Sequence, residues 1–361
     1  MTQNTPPPAS DDRVGTENID KNVVTADLVE LISSAGLNPE VPVVIAFSGG
    51  ADSTALLLAC VKLWSLSANN GTRLHGGSFG SGVKLPPLKA IHVHHGLQVA
   101  ADSFANHCTL FCARYGVPLH VDYIVAAHRA GESPEDAARN ARYKAFADVI
   151  KREWGGEPHQ ILLGQHADDQ IETLLLALSR GAGLPGLSCM APSFERLGVK
   201  YIRPFLNISA ASIKDWLRLE GQDWVEDPTN QDTQFTRNKI RLDVLPHIYK
   251  AFPSFRQTAA RSAKHAAQAQ ILLNELALED LKLTGSPPKL KVLQTLSEHR
   301  CANVLRFWFT SLGTAPSNTQ LQELISQVRR CKTRGHKIEI KLGHGFVRRS
   351  GDVLDWSELL Q

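Results

Sequence analysis

The feature that most restricts the fold is a repeated alternation of short apolar runs and helical segments in the first half of the chain. Val41–Phe47 is rich in β-branched residues, which is typical of a strand buried on both faces. Three similar runs follow, each next to a helical pattern: Lys89–His94, Leu119–Val125 and Gln160–Gly164. Because parallel strands need crossover helices, the alternation predicts an α/β fold with a doubly wound, mainly parallel sheet.

The pattern changes along the chain, which predicts separate regions. Residues 1–22 are polar and rich in Pro, and we expect a disordered lead. Residues 23–245 form the predicted α/β domain, with a surface insertion rich in Gly and Ser at 65–88. Residues 246–361 form a smaller, mainly helical domain, with helices and two short strands expected at Phe255–Leu283, Cys301–Leu312, Thr319–Arg330, Lys337–Ile340 and Phe346–Arg349.

The net charge of +3 conceals two regions of opposite charge. Residues 1–236 hold 19 Lys and Arg against 26 Asp and Glu, a net of −7. Residues 237–349 hold 20 basic against 7 acidic residues, a net of +13. A solvated basic face would explain this excess, and so would a surface that neutralises the phosphates of a nucleic acid.

The composition restricts where in the cell this chain can reside. No stretch approaches the ~20 apolar residues of a membrane-spanning helix. The N-terminus carries Asp11, Asp12 and Glu17 and has no apolar core, so we expect no signal peptide. The six cysteines form no CxxC pair, and we expect a cytoplasmic protein without disulfides or a membrane partner.

The sharpest motif is Ser48-Gly49-Gly50-Ala51-Asp52-Ser53, between a predicted strand and a predicted helix. Glycines let backbone N–H groups approach an anion, and a helix N-terminus favours negative charge. The Lys of a Walker loop is absent, so this is a different phosphate-binding loop. A carboxylate beside phosphates predicts that Asp52 is a Mg²⁺ ligand or contacts a cationic substrate.

A second cluster follows the fourth strand. Asp168, Asp169 and Glu172 crowd the start of a predicted helix beside His166. Carboxylates also stabilise a helix N-terminus by themselves, but three acids and a histidine exceed that need and indicate a metal or cationic-amine site. His92, His94 and His95 have no matching ligand set for zinc.

Further motifs complete the set: Arg180–Leu187 (RGAGLPGL), Arg203-Pro204-Phe205, Glu226–Asn230 (EDPTN) and Arg237–Arg241 (RNKIR). The last is either a solvated helix start or a phosphate contact, for which Arg is well suited. The SGGADS string resembles the phosphate loop of the ATP-pyrophosphatase (PP-loop) superfamily. Together with His94–Leu97 (HHGL) and Gly164–Thr173, the ordered set resembles bacterial tRNA(Ile)-lysidine synthetases from about Val24 to Asp355.

This resemblance implies an enzymatic activity. Members use ATP to adenylate the wobble cytidine of the CAU anticodon of tRNA(Ile), and an amine of free lysine then displaces AMP at C2, which leaves lysidine, AMP and pyrophosphate. The expected cofactors are ATP and Mg²⁺, and the expected partners are that tRNA and free L-lysine. The resemblance does not decide whether the chain forms a homodimer. Gln165 stands where the family often has a histidine, and we expect the further C-terminal domain of some members to be absent.

The resemblance also implies site residues. Ser48, Gly49, Gly50, Ala51, Asp52 and Ser53 would bind ATP. The expected catalytic residues are Asp52, Asp168, Asp169, Glu172, Arg237 and Arg241, with Asp52 and Asp168 as Mg²⁺ ligands. Two alternatives remain: a tRNA thiolase of the same superfamily, which commonly needs reactive cysteines, and a non-catalytic RNA-binding protein that holds ATP.

The basic excess of residues 237–349 gives a first prediction. If those cations neutralise about six phosphates, tRNA affinity falls by roughly 10³-fold between 50 and 200 mM salt. Filter binding across that range measures the slope. Affinity that does not change with salt would contradict the assignment of the basic region to tRNA.

Overall fold

A computed structural model of the chain describes Leu28 and residues 30–68, 85–94, 96, 101–124, 134–333, 335–343 and 345–358. The predicted lead at 1–22 and residues 69–84 of the predicted insertion lie outside the described residues, as do His95 and Leu97 of the HHGL motif. The chain divides into two compact units. The first comprises Met1–Thr173 with Met190–Arg256, and the second comprises Leu174–Cys189 with Gln257–Gln361.

A six-stranded sheet organises the first unit, in the order β3-β2-β1-β4-β6-β5. The strands are β1 (Val43–Ala46), β2 (Leu88–His94), β3 (Leu119–Tyr123), β4 (Gln160–Leu162), β5 (Ser193–Arg196) and β6 (Val199–Ile202). All neighbours are parallel except β5 and β6. The predicted fold class is therefore confirmed. The strand order reverses between β1 and β4, and ligands of such sheets bind at that point, beyond the carboxyl ends of the strands.

Helices cover both faces of this sheet. They are α1 (Ala51–Ala68), α2 (Ala101–Arg114), α3 (Pro134–Glu153), α4 (Ala167–Ser179) and, after a short α5 (Leu184–Leu187), α6 (Ala210–Leu219). In β1, Val43 and Ile45 pack into one core cluster and Val44 into the other. Alternate side chains of a strand point to opposite faces, so β1 is buried on both, as its run of β-branched residues predicts.

Several of the observed elements were not predicted from the sequence. The β5–β6 hairpin turns at Leu197 and Gly198, which both adopt positive φ angles (53° and 74°). The helix α6 begins after Ser209, whose side chain accepts a hydrogen bond from the Ser212 N–H (3.1 Å). It buries Ile213, Trp216 and Leu217 against the core, a helical periodicity present in the sequence.

The segment after α6 leads to the end of the first unit. It contains a 3₁₀ turn at Pro228–Gln231, α7 (Thr236–Lys239), a π turn at Ile240–Val244 and α8 (Leu245–Ala251). The predicted domain boundary between residues 245 and 246 falls within α8 and stays a prediction.

The second unit combines helices with a small sheet. Its helices are α9 (Phe255–Thr284), α10 (Leu290–Thr295), α11 (Glu298–Ser311) and α12 (Asn318–Arg330). The first two residues of α9, Phe255 and Arg256, still belong to the first unit. Antiparallel strands β7 (Glu339–Leu342), β8 (Gly345–Ser350) and β9 (Val353–Glu358) follow, in that order in the sheet. Asp280 of α9 is fully buried and accepts a hydrogen bond from Arg300 Nε of α11 (3.1 Å). Within the described residues, no helix is long and apolar enough to cross a membrane.

The packing of the second unit predicts where substitutions destabilise it. Leu324 of α12 is fully buried in the core of this unit, whereas Leu272 of α9 is 66% exposed. We expect Leu324→Ala to lower the free energy of unfolding by about 2–5 kcal/mol, because it leaves a cavity. Calorimetry of the full chain measures the shift of the thermal transition. Leu272→Ala is the matched control and should stay close to the parent, and equal shifts would argue against this core.

Candidate active site

The Ser48–Ser53 loop joins the end of β1 to the start of α1, at the point where the strand order reverses. Gly49 adopts a φ of +86°, and a Cβ there would lie 3.2 Å from Cys108 Sγ. The Gly49 carbonyl accepts a hydrogen bond from the Val225 N–H (3.0 Å). Glycine therefore allows both the conformation of the loop and its close packing on α2.

Ser53 supports the loop from inside. Its hydroxyl donates to the Gly50 carbonyl (3.1 Å) and accepts from the Ser48 N–H (3.2 Å). The hydroxyl groups of Ser48 and Ser53 also lie 3.0 Å apart. Since Ser53 is buried and Ser48 is exposed, Ser48 is the better placed of the two to meet a phosphate.

Gly164, after β4, lets two parts of the site approach each other. A Cβ at Gly164 would lie 3.0 Å from the carbonyl carbon of Asp52 and 3.1 Å from the Ser53 nitrogen. These are backbone atoms of the first turn of α1, which cannot rotate away as a side chain can. The position of the loop thus depends on this glycine.

His166 brings together two of the predicted carboxylates. Its Nε2 lies 3.6 Å from Asp52 Oδ2 and 3.6 Å from Asp169 Oδ2. Its Nδ1 accepts a hydrogen bond from the Asp169 N–H (3.3 Å), so Nε2 carries the proton of the neutral ring and points toward the acids. Burial raises the pKa of Asp52, while the nearby His166 opposes this effect.

Asp168 has a different environment from Asp169. Its Oδ1 accepts hydrogen bonds from Tyr249 OH (3.0 Å) and from Arg256 Nε and Nη2 (2.8 and 2.6 Å), and its Oδ2 accepts from the Ala210 N–H (2.8 Å). Burial alone would raise the pKa of Asp168, but these hydrogen bonds outweigh it and hold the pKa below its ordinary value. Both carboxylate oxygens are therefore engaged by protein donors.

Glu172 holds the two predicted arginines. It is fully buried; its Oε1 accepts a hydrogen bond from Arg241 Nε (2.7 Å), and its Oε2 lies 3.6 Å from Arg237 Nη1. Burial raises the pKa of Glu172, and Arg241 partly counteracts this. Arg237 also bonds to Glu135, and Arg241 Nη2 lies 3.8 Å from Asp169 Oδ1. Glu172 thus joins the two arginines, which also contact Glu135 and Asp169.

Two pockets, of about 520 and 450 Å³, adjoin at the loop and share Ser48, Gly50, Asp52, Phe104 and Asp227. The first pocket has apolar walls from Ile91, Phe146 and Leu163, and Asp169 also lines it. The second pocket is more charged and is lined by His166, Asp168, Lys214, Glu226 and Arg241, with Trp224 at its side. Of the predicted site residues, Gly49, Glu172 and Arg237 line neither pocket.

Other residues that the sequence analysis singled out, namely His92, His94 and Gln165, have polar partners within the protein. His92 Nδ1 lies 2.9 Å from the Phe47 carbonyl, and His94 Nε2 lies 3.1 Å from Asp102 Oδ1. Gln165 accepts a hydrogen bond from Arg203 of the RPF motif. No group of three or more His, Cys, Asp or Glu side chains that could hold a metal ion occurs within the described part of the chain.

Sequence reasoning missed Arg142, Lys214 and Trp224, which line these pockets. Arg142 and Lys214 lie within helices that carried no motif, so local sequence gave no signal for them. Trp224 stands two residues before the EDPTN motif, and its neighbourhood could have drawn attention to it.

A parallel sheet with a glycine-rich anion loop at its reversal point defines a nucleotide-binding α/β protein. The family model described as the PP-loop domain matches residues 21–248, and that of the TilS substrate binding domain matches residues 289–354. The tRNA(Ile)-lysidine synthase of Polaromonas naphthalenivorans is 47% identical over 338 residues, 93% of this chain and 96% of the relative. This chain belongs to the tRNA(Ile)-lysidine synthase family of PP-loop enzymes.

Members of this family differ in chain length. The synthase of Pseudomonas putida is 40% identical over 283 residues, 75% of this chain but only 61% of that protein. Among solved structures, the U34-tRNA thiolase NcsA of Methanococcus maripaludis, which contains a [4Fe-4S] cluster, aligns with a TM-score of 0.53 at 15% identity, over 68% of this chain and 77% of that one. This likeness concerns the fold alone.

The packing at Gly164 predicts a loss of ATP affinity on substitution. In Gly164→Ala the new methyl group must displace the Asp52–Ser53 backbone by a few tenths of an ångström, which we expect to weaken ATP binding about tenfold or more. Isothermal titration with ATP measures this. Gly335→Ala, at a glycine with open space around its Cβ position, is the control. Parental affinity in Gly164→Ala would contradict the tight approach.

Proposed function

We propose that this chain ligates free L-lysine to C2 of the wobble cytidine in the CAU anticodon of tRNA(Ile), with ATP as the activating substrate. The phosphate loop beside Asp52, Asp169 and His166 carries this proposal, together with membership of the family. Two adjoining pockets fit a reaction in which a nucleotide and a second substrate meet at one point.

The first step activates the base. The C2 carbonyl oxygen of cytidine attacks the α-phosphorus of ATP; an O–P bond forms, the bond to the β-phosphate bridging oxygen breaks, and pyrophosphate leaves. The Ser48 hydroxyl and the N–H groups at the start of α1 would bind the phosphates, where negative charge develops. The apolar walls of the first pocket suit the adenine ring.

The second step replaces the activated oxygen. A neutral amine of lysine attacks C2, the C2–O bond breaks with release of AMP, and the amine proton goes to a base or to water. The second pocket supplies carboxylates for a substrate with two amines, of which Glu226 is mostly exposed and Asp168 is already bonded to Arg256. We propose that Asp169, which lines the first pocket and lies 3.6 Å from His166 Nε2, receives the ammonium group of the incoming lysine.

Mg²⁺ fits the residues present to a limited extent. Proteins usually bind it through one or two carboxylates together with substrate phosphates and water. Asp52, partly exposed and next to the loop, meets that description. When bound, Mg²⁺ would neutralise phosphate charge. The predicted pairing of Asp52 with Asp168 as Mg²⁺ ligands stays a prediction, since both oxygens of Asp168 already accept hydrogen bonds from the protein.

The partners and location follow as part of the proposal. The basic residues of α9 onward would bind the phosphates of tRNA(Ile), and the enzyme would act in the cytoplasm. Homodimer formation stays a prediction.

The thiolase alternative fits the cysteines poorly. Burial raises the pKa of the Cys112 thiol to about 12 and that of Cys189 to about 11, so the reactive thiolate is disfavoured. Among the described residues that line the two pockets there is no cysteine. The alternative of a non-catalytic ATP-bound protein predicts that Asp52 is dispensable.

Asp52 provides the test. We expect Asp52→Ala to lower incorporation of labelled lysine into a CAU-anticodon tRNA(Ile) by at least about 10²-fold, because the carboxylate that would hold Mg²⁺ against the phosphates is lost, while tRNA binding persists. Nucleoside analysis after incubation with ATP and Mg²⁺ measures the product. Asp148→Ala, at a half-exposed aspartate paired with Lys144, is the control. Full activity of Asp52→Ala, or incorporation of sulfur instead of lysine, would refute the proposal.

A further inference from the structure

Trp224 occupies an unusual place for a large aromatic side chain. Its indole packs against the main core cluster of the first unit and also lines the second pocket, next to Asp52 and His166. The adjacent Val225 N–H donates to the Gly49 carbonyl (3.0 Å), which ties this segment to the phosphate loop. The ring is therefore held at a fixed place beside the loop that binds ATP.

The polar surroundings fix the ring orientation as well. Trp224 Nε1 donates to Glu226 Oε1 (2.9 Å), and the same oxygen accepts from Lys214 Nζ (2.9 Å). Lys214 Nζ and the guanidinium of Arg218 lie 6.0 and 5.9 Å from the ring centroid. A half-buried indole flanked by two cations is the combination that binds single-stranded nucleic acid, through base stacking and phosphate contact.

We propose that Trp224 is the stacking platform for the target cytidine, with Lys214 and Arg218 on the neighbouring tRNA phosphates. In the free chain these two cations pair with Glu226 and Asp215, so the phosphates would compete with those carboxylates. This inference rests on the proposed function, because that reaction requires a base to leave the anticodon stack and to bring its C2 oxygen to the ATP phosphates. An enzyme that modifies a base must bind it unstacked, and an aromatic ring replaces the lost stacking. Trp224 is thus a positioning residue.

Substitutions of the ring separate stacking from folding. Trp224→Leu should lower kcat/KM for tRNA by roughly 5- to 150-fold, the usual range for loss of one base–aromatic stack, while ATP affinity stays near the parent value. Trp224→Phe should recover most of the activity. Trp154→Leu is the matched control, since Trp154 stacks on His159 and lines neither pocket.

Tryptophan fluorescence gives a measurement that would not change on RNA binding if Trp224 had only a structural role. Binding of the CAU anticodon stem-loop RNA should quench indole emission of the parent chain more strongly than the same RNA with an abasic wobble position. This difference should vanish in Trp224→Phe and persist in Trp154→Leu. Equal quenching by both RNAs would contradict the proposed stacking. So would a Trp224→Leu variant in which only the KM for lysine rises.

The two proposals fail in different ways. If the parent chain forms no lysidine, the proposed function is wrong whatever Trp224 does. If the parent chain is active and Trp224→Leu equals it in kcat/KM for tRNA, only the stacking assignment is wrong.

Discussion

The close approach of the chain at Gly164 to the first turn of α1 is the constraint on which the site depends. Parallel pairing sets the ends of β1 and β4 side by side, and the close approach at Gly164 lets the loops after both strands meet over one gap. The phosphate loop comes from one side, and Asp169 and His166 come from the other. Without that contact, the parallel sheet would still form, but its reversal point would not bring these groups together.

Charge pairing then decides which groups remain accessible. Glu172 is fully buried and lines neither pocket, and Asp168 accepts four hydrogen bonds, so neither carboxylate is open to a substrate. Asp52 has only His166 within 4 Å as an ion-pair partner among the described residues. Burial of a weakly paired carboxylate costs free energy, which the protein tolerates where a cation or substrate completes the site.

The sheet and the phosphate loop could be predicted because their signals are local. A run such as Val41–Phe47 has no stable place except a strand buried on both faces, and the glycines directly after it mark the loop. Strand β5 lies at the sheet edge without a fully buried residue, and Leu197 in the β5–β6 turn is not a typical turn residue, so the sequence signal for this hairpin was weak. The partners of the clustered acids could not be predicted. Arg241 and Glu172 are 69 residues apart, and only the folded chain shows that they meet.

The hydrogen bonds of Asp168 have a consequence for how mutational data on this enzyme are interpreted. That one carboxylate joins the start of α4 to the first turn of α6, to Tyr249 of α8 and to Arg256 of α9. Its removal would release all of these elements beside the two pockets at once. Loss of activity in an Asp168 variant could therefore be mistaken for the loss of a substrate ligand, when its cause is the loosening of these four elements. Only a measurement of local backbone order, such as hydrogen exchange, separates the two.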